Sequence, residues 1–326
     1  MSRSVYVTRM IPQPGIDMLR AHVDVEVNES DEPLSSDELR RRAGSHDALV
    51  TLLTDKIDSA VLRSGAGSLK IVANVAVGYD NIDVPAATAS GIMVSNTPGV
   101  LTETTADFAW AMLMSVTRRI PEAQSFLRAG KYQGWGIMMM LGEDIHGKTL
   151  GIAGFGRIGQ AVAQRATGFG MKILYYDPVV QAEDAARRLN ASSVDLNTLL
   201  RESDFVSVHT PLTPETRHMI GKEQLDLMKD TAYLINTSRG PVIDEAALAG
   251  ALKSNRIRGA ALDVFENEPE VHPELLHLDN AVITPHIASA SVATRSRMAT
   301  VAAENVIAAL NGQRPPNLVN EELANG

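Results

Sequence analysis

Gly154-Phe155-Gly156-Arg157-Ile158-Gly159 is the stretch that most narrows what this chain can fold into. A G-x-G-x-x-G run means little in isolation. Here the apolar run Leu150-Gly151-Ile152-Ala153 precedes it and a helical stretch, 160–167, follows. A second β-rich run, Ile173-Leu174-Tyr175-Tyr176, then ends in Asp177, 18 residues past the third glycine. Strand, glycine turn, helix, strand and acid together form the complete context of a dinucleotide site. Gly154 and Gly156 allow a tight turn and let backbone N–H groups reach a pyrophosphate. The helix start adds roughly half a positive charge there. Gly159 lets helix and strand pack closely. Asp177 can accept both ribose hydroxyls and would repel a 2′-phosphate, and no Arg or Lys occurs in the nine residues after it. NAD is therefore expected rather than NADP, with NADH preferred over NADPH.

The rest of the chain repeats the same alternation. Before residue 100, β-rich runs at 4–8, 23–27, 48–53, 70–75 and 93–95 are separated by helix-length stretches. One helix is expected over 31–42, capped by Ser35 or Ser36 ahead of Asp37 and Glu38. From 149 to 285, six further strands are expected at 149–153, 172–176, 205–209, 232–236, 259–264 and 281–284. Strands alternating with helices imply parallel sheets, and six with crossover helices describe a doubly wound nucleotide-binding domain. A helix is expected over 293–311, followed by a Gly/Pro-rich tail at 312–317. Between the two alternating regions, 102–130 reads as one helix. From Ala106 to Val116 only Asp107 and Ser115 are not apolar, so burial on all sides is expected, with a second subunit as the natural cover and a central helix wedged between domains as the alternative.

Composition removes several classes of function. The chain has 326 residues, enough for two domains, and carries 30 Lys+Arg against 39 Asp+Glu, a formal charge of −9. An acidic chain without basic clusters argues against nucleic acid or an anionic membrane as partner. There are no cysteines, which excludes disulfides, thiol nucleophiles and Cys-bound metal centres and fits a reducing cytoplasm. No apolar run approaches a membrane span. Gly142-Glu143-Asp144-Ile145-His146-Gly147-Lys148-Thr149 matches the spacing of a phosphate-binding G-x-x-x-x-G-K-[ST] loop, but it leads into a strand instead of leaving one and puts two carboxylates where phosphates would sit. It reads as a surface turn.

Candidate chemistry lies at strand ends. Val206-Ser207-Val208-His209-Thr210-Pro211, Leu234-Ile235-Asn236-Thr237-Ser238-Arg239-Gly240, Ala261-Leu262-Asp263-Val264-Phe265-Glu266-Asn267-Glu268-Pro269 and Ile283-Thr284-Pro285-His286 each close a strand. Ligands of such sheets bind outside the carboxyl ends. Arg239, Asp263, Glu268 and His286 should therefore converge. Of the eight histidines, His22, His46, His146, His218, His272 and His277 have no such context. The spacing of His272 and His277 does not place them on one helical face, and no metal is expected.

With these motifs in order, the chain resembles the D-isomer-specific 2-hydroxyacid dehydrogenases, most closely their glyoxylate/hydroxypyruvate reductase branch. Val77-Gly78-Tyr79-Asp80-Asn81-Ile82-Asp83 looks like the family's substrate loop. The separations of 29 residues from Arg239 to Glu268 and 18 from Glu268 to His286 match as well. The resemblance implies an α/β protein with two doubly wound parallel-sheet domains and a cleft between them. A flavodoxin-like substrate domain would be formed by 1–99 and 286–326. A Rossmann NAD domain would span 100–285, including a dimerisation helix and arm at 102–145. Hinges are implied near Pro98-Gly99 and at 285–287.

The resemblance also implies roles. Val75, Ala76, Val77 and Gly78 would offer backbone N–H groups to a substrate carboxylate. Arg239 would bind that carboxylate and the reacting carbonyl oxygen. His286 would be the acid–base group, paired with Glu268. Gly154, Gly156, Arg157, Ile158, Gly159, Asp177, His209, Thr210, Pro211, Thr237, Ser238, Arg239, Asp263 and His286 would line the cofactor, with Asp263 on the carboxamide. Trp135 would reach into the substrate site of the other protomer of a homodimer. The implied activity is NADH-dependent reduction of a short 2-keto acid, glyoxylate or hydroxypyruvate, to the D-2-hydroxy acid, and the reverse, in the cytoplasm. Phosphoglycerate-dehydrogenase-like activity and a non-catalytic, corepressor-like NAD sensor are the alternatives. Glu268 argues against formate dehydrogenases, which place glutamine there. Gly136-Ile137-Met138-Met139-Met140 departs from the branch by lacking a proline after the tryptophan.

Overall fold

The computed structural model describes residues 3–325. The chain forms two compact units, one from 1–101 with 290–326 and the other from 102–289.

In the first unit the strands are β1 (Ser4–Val7), β2 (Asp24–Val27), β3 (Ala48–Thr51), β4 (Ile71–Asn74) and β5 (Met93–Ser95). They form one sheet in the order β2-β1-β3-β4-β5, every pair parallel. The crossover helices are α1 (Gln13–Arg20), α2 (Ser36–Ser45), α3 (Ser59–Ser64) and α4 (Val84–Ala89). Strands β3 and β4 are buried at every position. A parallel strand covered by helices on both faces needs a continuous apolar run rather than alternation. The Ser35 side chain caps α2 by accepting from the Glu38 N–H at 3.2 Å. The helix thus begins at Ser36 and not at Asp31, because the cap sets its start.

In the second unit α5 (Thr102–Thr117) and α6 (Ile120–Arg128) precede β6 (Thr149–Ala153), α7 (Arg157–Thr167), β7 (Lys172–Tyr176), α8 (Glu183–Leu189), β8 (Ala191–Ser193), α9 (Leu196–Glu202), β9 (Phe205–Val208), α10 (Lys222–Leu227), β10 (Tyr233–Asn236), α11 (Glu245–Lys253), β11 (Gly259–Leu262) and β12 (Ala281–Ile283). The sheet order is β12-β11-β10-β9-β6-β7-β8, again all parallel. The order reverses between β6 and β9, the place where doubly wound sheets bind ligands. The last long helix, α12 (Val292–Leu310), belongs to the first unit. Among the described residues no helix is long and apolar enough to cross a membrane.

Three expectations need correction. The sheet of the second unit has seven strands, since Ala191–Ser193 pairs with β7 at the edge. The single helix over 102–130 is two helices. Arg119 adopts a left-handed φ of 53°, and Pro121 sits in the first turn of α6, where its missing N–H costs nothing. Finally, the apolar run of α5 is not buried on all sides within the chain: its own unit covers part of it, while Ala111 is exposed and Phe108 and Met114 are half-buried. Ala106, Ala109, Trp110, Met112, Leu113 and Val116 lie in the core of their own unit. The Trp110 indole stacks on Phe169 at 4.7 Å and donates to Val162 O at 3.0 Å.

The Gly142–Thr149 segment leads into β6, and a Cβ at Gly142 would collide with the carbonyl oxygen of Thr117. A close backbone approach accounts for the glycine without any phosphate.

Candidate active site

The glycine turn joins β6 to α7. Gly154 has φ +92°, and a Cβ there would stand 2.7 Å from the His209 carbonyl. A Cβ on Gly159 would strike the Gly154 carbonyl, so helix and turn can meet only through glycine. Around Gly156 the space is open, with no atom within 4 Å of a built Cβ. Gly156 is the N-cap of α7 and offers no side-chain acceptor, which leaves the N–H groups of the first turn for an external anion.

Asp177 ends β7 and is half-buried. Its Oδ2 accepts from Phe155 N–H at 2.7 Å, and its Oδ1 accepts from Val179 and Val180 N–H at 2.9 and 2.8 Å. The carboxylate is thereby fixed beside the glycine turn. Two hydroxyls at the neighbouring strand ends, Thr210 Oγ1 after β9 and Thr237 Oγ1 after β10, are buried without a hydrogen-bond partner. Buried polar atoms are normally paired. Two orphans facing the strand ends beside a glycine cradle fit a bound dinucleotide. The residues present therefore suit the nicotinamide cofactor.

His209 follows β9. Burial pushes its imidazole down to about 4, and Nε2 lies 2.8 Å from Ser207 Oγ. It is neutral near pH 7 and therefore a poor source of protons.

The loop after β10 is built around Asn236. Its Oδ1 accepts from Ser238 N–H and Oγ at 3.0 and 2.9 Å, and its Nδ2 donates to Arg239 O at 2.9 Å. That arrangement fixes the backbone from which the half-buried Arg239 side chain leaves. Sequence reasoning missed Asn236. The signal was present, because an asparagine two residues before a serine is the pattern of an Asx turn.

Glu268 and His286 are joined directly, with His286 Nδ1 2.9 Å from Glu268 Oε2. The other oxygen, Oε1, accepts from Phe265 N–H at 3.0 Å. Burial raises the Glu268 carboxyl. The hydrogen bond and charge of His286, the Phe265 N–H and the Arg239 charge outweigh it and hold the group below the usual carboxylate range. The glutamate is ionised across the neutral range. Arg239, Glu268 and His286 thus act on one another at the carboxyl edge of one sheet.

Asp263, at the end of β11, is 0% exposed. It accepts from Thr284 Oγ1 at 2.7 Å, Ile287 N–H at 2.9 Å and Ala288 N–H at 2.7 Å, and its carbonyl accepts from His286 N–H at 2.8 Å. Burial raises its carboxyl, against those donors and the charge of His286. These bonds hold His286 at its left-handed φ of 53°. Asp263 is thus the fastening of the histidine loop, and a contact with a carboxamide would have to use the lone pair left over. Pro211 and Arg157 are exposed and Ile158 and Ser238 half-buried at the same edge.

In the first unit, Val75, Ala76, Val77 and Gly78 follow β4. Val75 and Ala76 are buried, while Val77 and Gly78 are half-buried. The expectation fails for Val75, whose N–H donates to Thr51 O at 2.8 Å in continuation of the sheet, while the N–H groups of Ala76, Val77 and Gly78 meet no acceptor among the described residues. Trp135 stands 76% exposed on the segment after α6.

A family model described as "D-isomer specific 2-hydroxyacid dehydrogenase, NAD binding domain" matches residues 110–288. The chain belongs to that family. It is 56% identical over 326 residues to a glyoxylate reductase of Korarchaeum cryptofilum, covering 99% of this chain and 97% of that one. A crystal structure of a Thermus thermophilus protein superposes with TM-score 0.91 at 44% identity, covering 97% of this chain and 99% of that one. An NADPH-dependent glyoxylate/hydroxypyruvate reductase of Sinorhizobium meliloti, in complex with NADP and malonate, superposes with TM-score 0.85 at 32% identity, with 98% of each chain covered. This chain is accordingly an oxidoreductase acting on CH–OH groups with a nicotinamide-dinucleotide domain.

Proposed function

We propose that this dehydrogenase reduces glyoxylate or hydroxypyruvate to the D-2-hydroxy acid, and runs the reverse, with NADH as the preferred cofactor. The observation that carries the reading is the 2.9 Å Glu268–His286 pair beside the Arg239 charge, at the strand ends next to the glycine cradle. When bound, the reduced nicotinamide supplies a hydride to the keto carbon. Negative charge then develops on the carbonyl oxygen. Arg239 stabilises it as a fixed cation, and His286 neutralises it by proton transfer. Since Nδ1 of His286 is engaged with Glu268, the proton leaves from Nε2. Glu268 stays ionised throughout and keeps the ring oriented.

For the cofactor, Gly154, Gly156, Arg157, Ile158, Gly159, Asp177, His209, Thr210, Pro211, Thr237 and Ser238 are the proposed contacts. Ala76, Val77 and Gly78 are proposed to receive the substrate carboxylate on their N–H groups, whereas that of Val75 is already bound to Thr51 O. Preference for NADH rests on the fixed Asp177 carboxylate and on the absence of a cation in the nine residues after it. The name of the Sinorhizobium relative makes this preference worth measuring. A homodimer in the cytoplasm is part of the same reading. Ile120 and Leu127 on α6, together with Tyr132, Trp135, Ile137, Met138 and Leu141, are all 48% exposed or more, and such a patch is rarely left open to water.

The test is a set of initial rates with glyoxylate, hydroxypyruvate, pyruvate and 3-phosphohydroxypyruvate, each with NADH and NADPH. The reading expects the highest kcat/KM for one of the first two acids with NADH. Absence of turnover with every acid would leave the NAD-sensor alternative standing.

A further inference from the structure

The loop after β4 is held from beneath by side chains that take no part in hydride or proton transfer. Its carbonyls are captured one by one from within the same unit. Ala76 O accepts from Thr97 N–H at 2.8 Å, Val77 O from Asn96 Nδ2 at 2.7 Å and Gly78 O from Asn74 Nδ2 at 2.9 Å. Asn74 is 0% exposed. Its Oδ1 accepts from Thr51 Oγ1 at 3.1 Å, and its Nδ2 also reaches Asn81 Oδ1 at 3.0 Å. Asn81 Nδ2 in turn donates to Leu52 O and Asp55 O at 3.1 and 2.9 Å. Asn96 is anchored through its own backbone. Its N–H donates to Asn317 O and its carbonyl accepts from Asn305 Nδ2, both at 3.3 Å, which ties it to α12 and the segment that follows.

An amide side chain can donate and accept from one short stem. Asn74 uses both functions, to the loop in one direction and to Thr51 in the other. With three consecutive carbonyls engaged by the protein, the N–H groups of Ala76, Val77 and Gly78 are the polar atoms left over. Successive unpaired N–H groups make a concavity suited to an anion.

We propose that Asn96 and Asn74 are positioning residues for the substrate carboxylate, pinning the carbonyls of Val77 and Gly78 to the protein so that the loop's N–H groups receive the anion. This rests on the proposed keto-acid reaction and adds a role for side chains that never touch the substrate.

Asn96→Ala and Asn96→Asp are the variants to make, because Asn96 is only half-buried; Asn74→Asp is the second site. Each removes a donor to a loop carbonyl. The expected result is a KM for glyoxylate or hydroxypyruvate raised about ten-fold, the worth of one hydrogen bond to a charged group. The Ki of oxalate, a dead-end dicarboxylate, should rise in parallel. The variant kcat should stay within about three-fold, and the NADH Kd from fluorescence titration and the melting temperature should stay near wild type. Asn96→Asp should be worse than Asn96→Ala, since a carboxylate would repel the Val77 carbonyl. Unmoved KM and Ki in both Asn96 variants of an active enzyme would overturn the proposal. So would a loss of NADH affinity and melting temperature in step with KM, which would mark a purely structural role. A wild type inert toward every 2-keto acid would remove the underlying reading and this one with it.

Discussion

The two parallel sheets end in opposite kinds of chemistry. At the carboxyl edge of the second unit's sheet, the candidate chemistry sits on ionisable side chains. Arg239, Glu268 and His286 leave the ends of three different strands and act on one another, and two orphaned threonine hydroxyls lie beside them. In the first unit, the loop after β4 offers backbone. Its carbonyls are tied down and its N–H groups remain. The contrast teaches that one strand edge presents ionisable side chains, whereas a loop of the other sheet presents fixed backbone dipoles, and the proposed function uses each accordingly. Substitutions should therefore fail differently on the two sides.

The largest loss is expected in His286→Ala. Without the proton donor, kcat for keto-acid reduction should fall by about 10²–10⁴, while NADH still binds with wild-type Kd by fluorescence titration. A variant that loses NADH binding equally would mean that His286 holds cofactor and not a proton.

Arg239→Ala should follow, at about 10²–10³ in kcat/KM. Both KM and kcat should move, because the guanidinium meets substrate before and during hydride transfer. A change in KM alone would make Arg239 resemble the backbone loop and erase the difference between the two strand edges. Cofactor choice comes next. A 2′-phosphate beside the fixed Asp177 carboxylate should cost about 10² in kcat/KM for NADPH against NADH, and Asp177→Ser should narrow that gap. Equal values for the wild type would refute it. Smaller still is the effect of Trp135→Ala, expected to change the ratio of kcat/KM for glyoxylate and hydroxypyruvate about three- to ten-fold, the scale of one apolar contact. Light scattering should give a dimer; a stable 35 kDa species would remove the apolar patch on α6 and its following segment as an interface.

The same contrast governs how much could be read from the sequence. The gathering of Arg239, Glu268 and His286 at one sheet edge was legible because each lies in a segment that closes a strand, where doubly wound sheets collect ligands. The bounds of β5, β6 and β7 were legible for a similar reason, since β-branched and aromatic runs stop there at polar or glycine residues. Strand β8 was not, because Ala191-Ser192-Ser193 has no large apolar side chain to bury and is held only by edge pairing with β7. The break between α5 and α6 left a trace in Pro121, which fits a helix start better than a helix interior. Asn74 and Asn96 left none. Their side chains hold carbonyls of the loop after β4, from the end of that strand and, for Asn96, from beyond β5, and nothing in an asparagine's neighbours in sequence announces which carbonyl it will hold. Asp263 was legible as a functional position, but its bonds to Thr284, Ile287 and Ala288 came from the tertiary structure alone.

If Glu268 and His286 work as one proton-donating pair, the pH dependence of reduction will show it. Nδ1 of His286 lies 2.9 Å from Glu268 Oε2, and the ring helps to hold that carboxyl below the usual carboxylate range. Reduction consumes the proton, so kcat/KM for the keto acid should be high at low pH and decline as pH rises through the apparent pKa of the pair; oxidation of the hydroxy acid should show the opposite trend. Glu268→Gln removes the negative charge but leaves a group of the same shape. The decline for reduction should then begin at lower pH, with activity retained on the acid side. A pH–rate profile for Glu268→Gln that overlays the wild type would contradict the account, because Glu268 would then not be the partner that keeps His286 loaded.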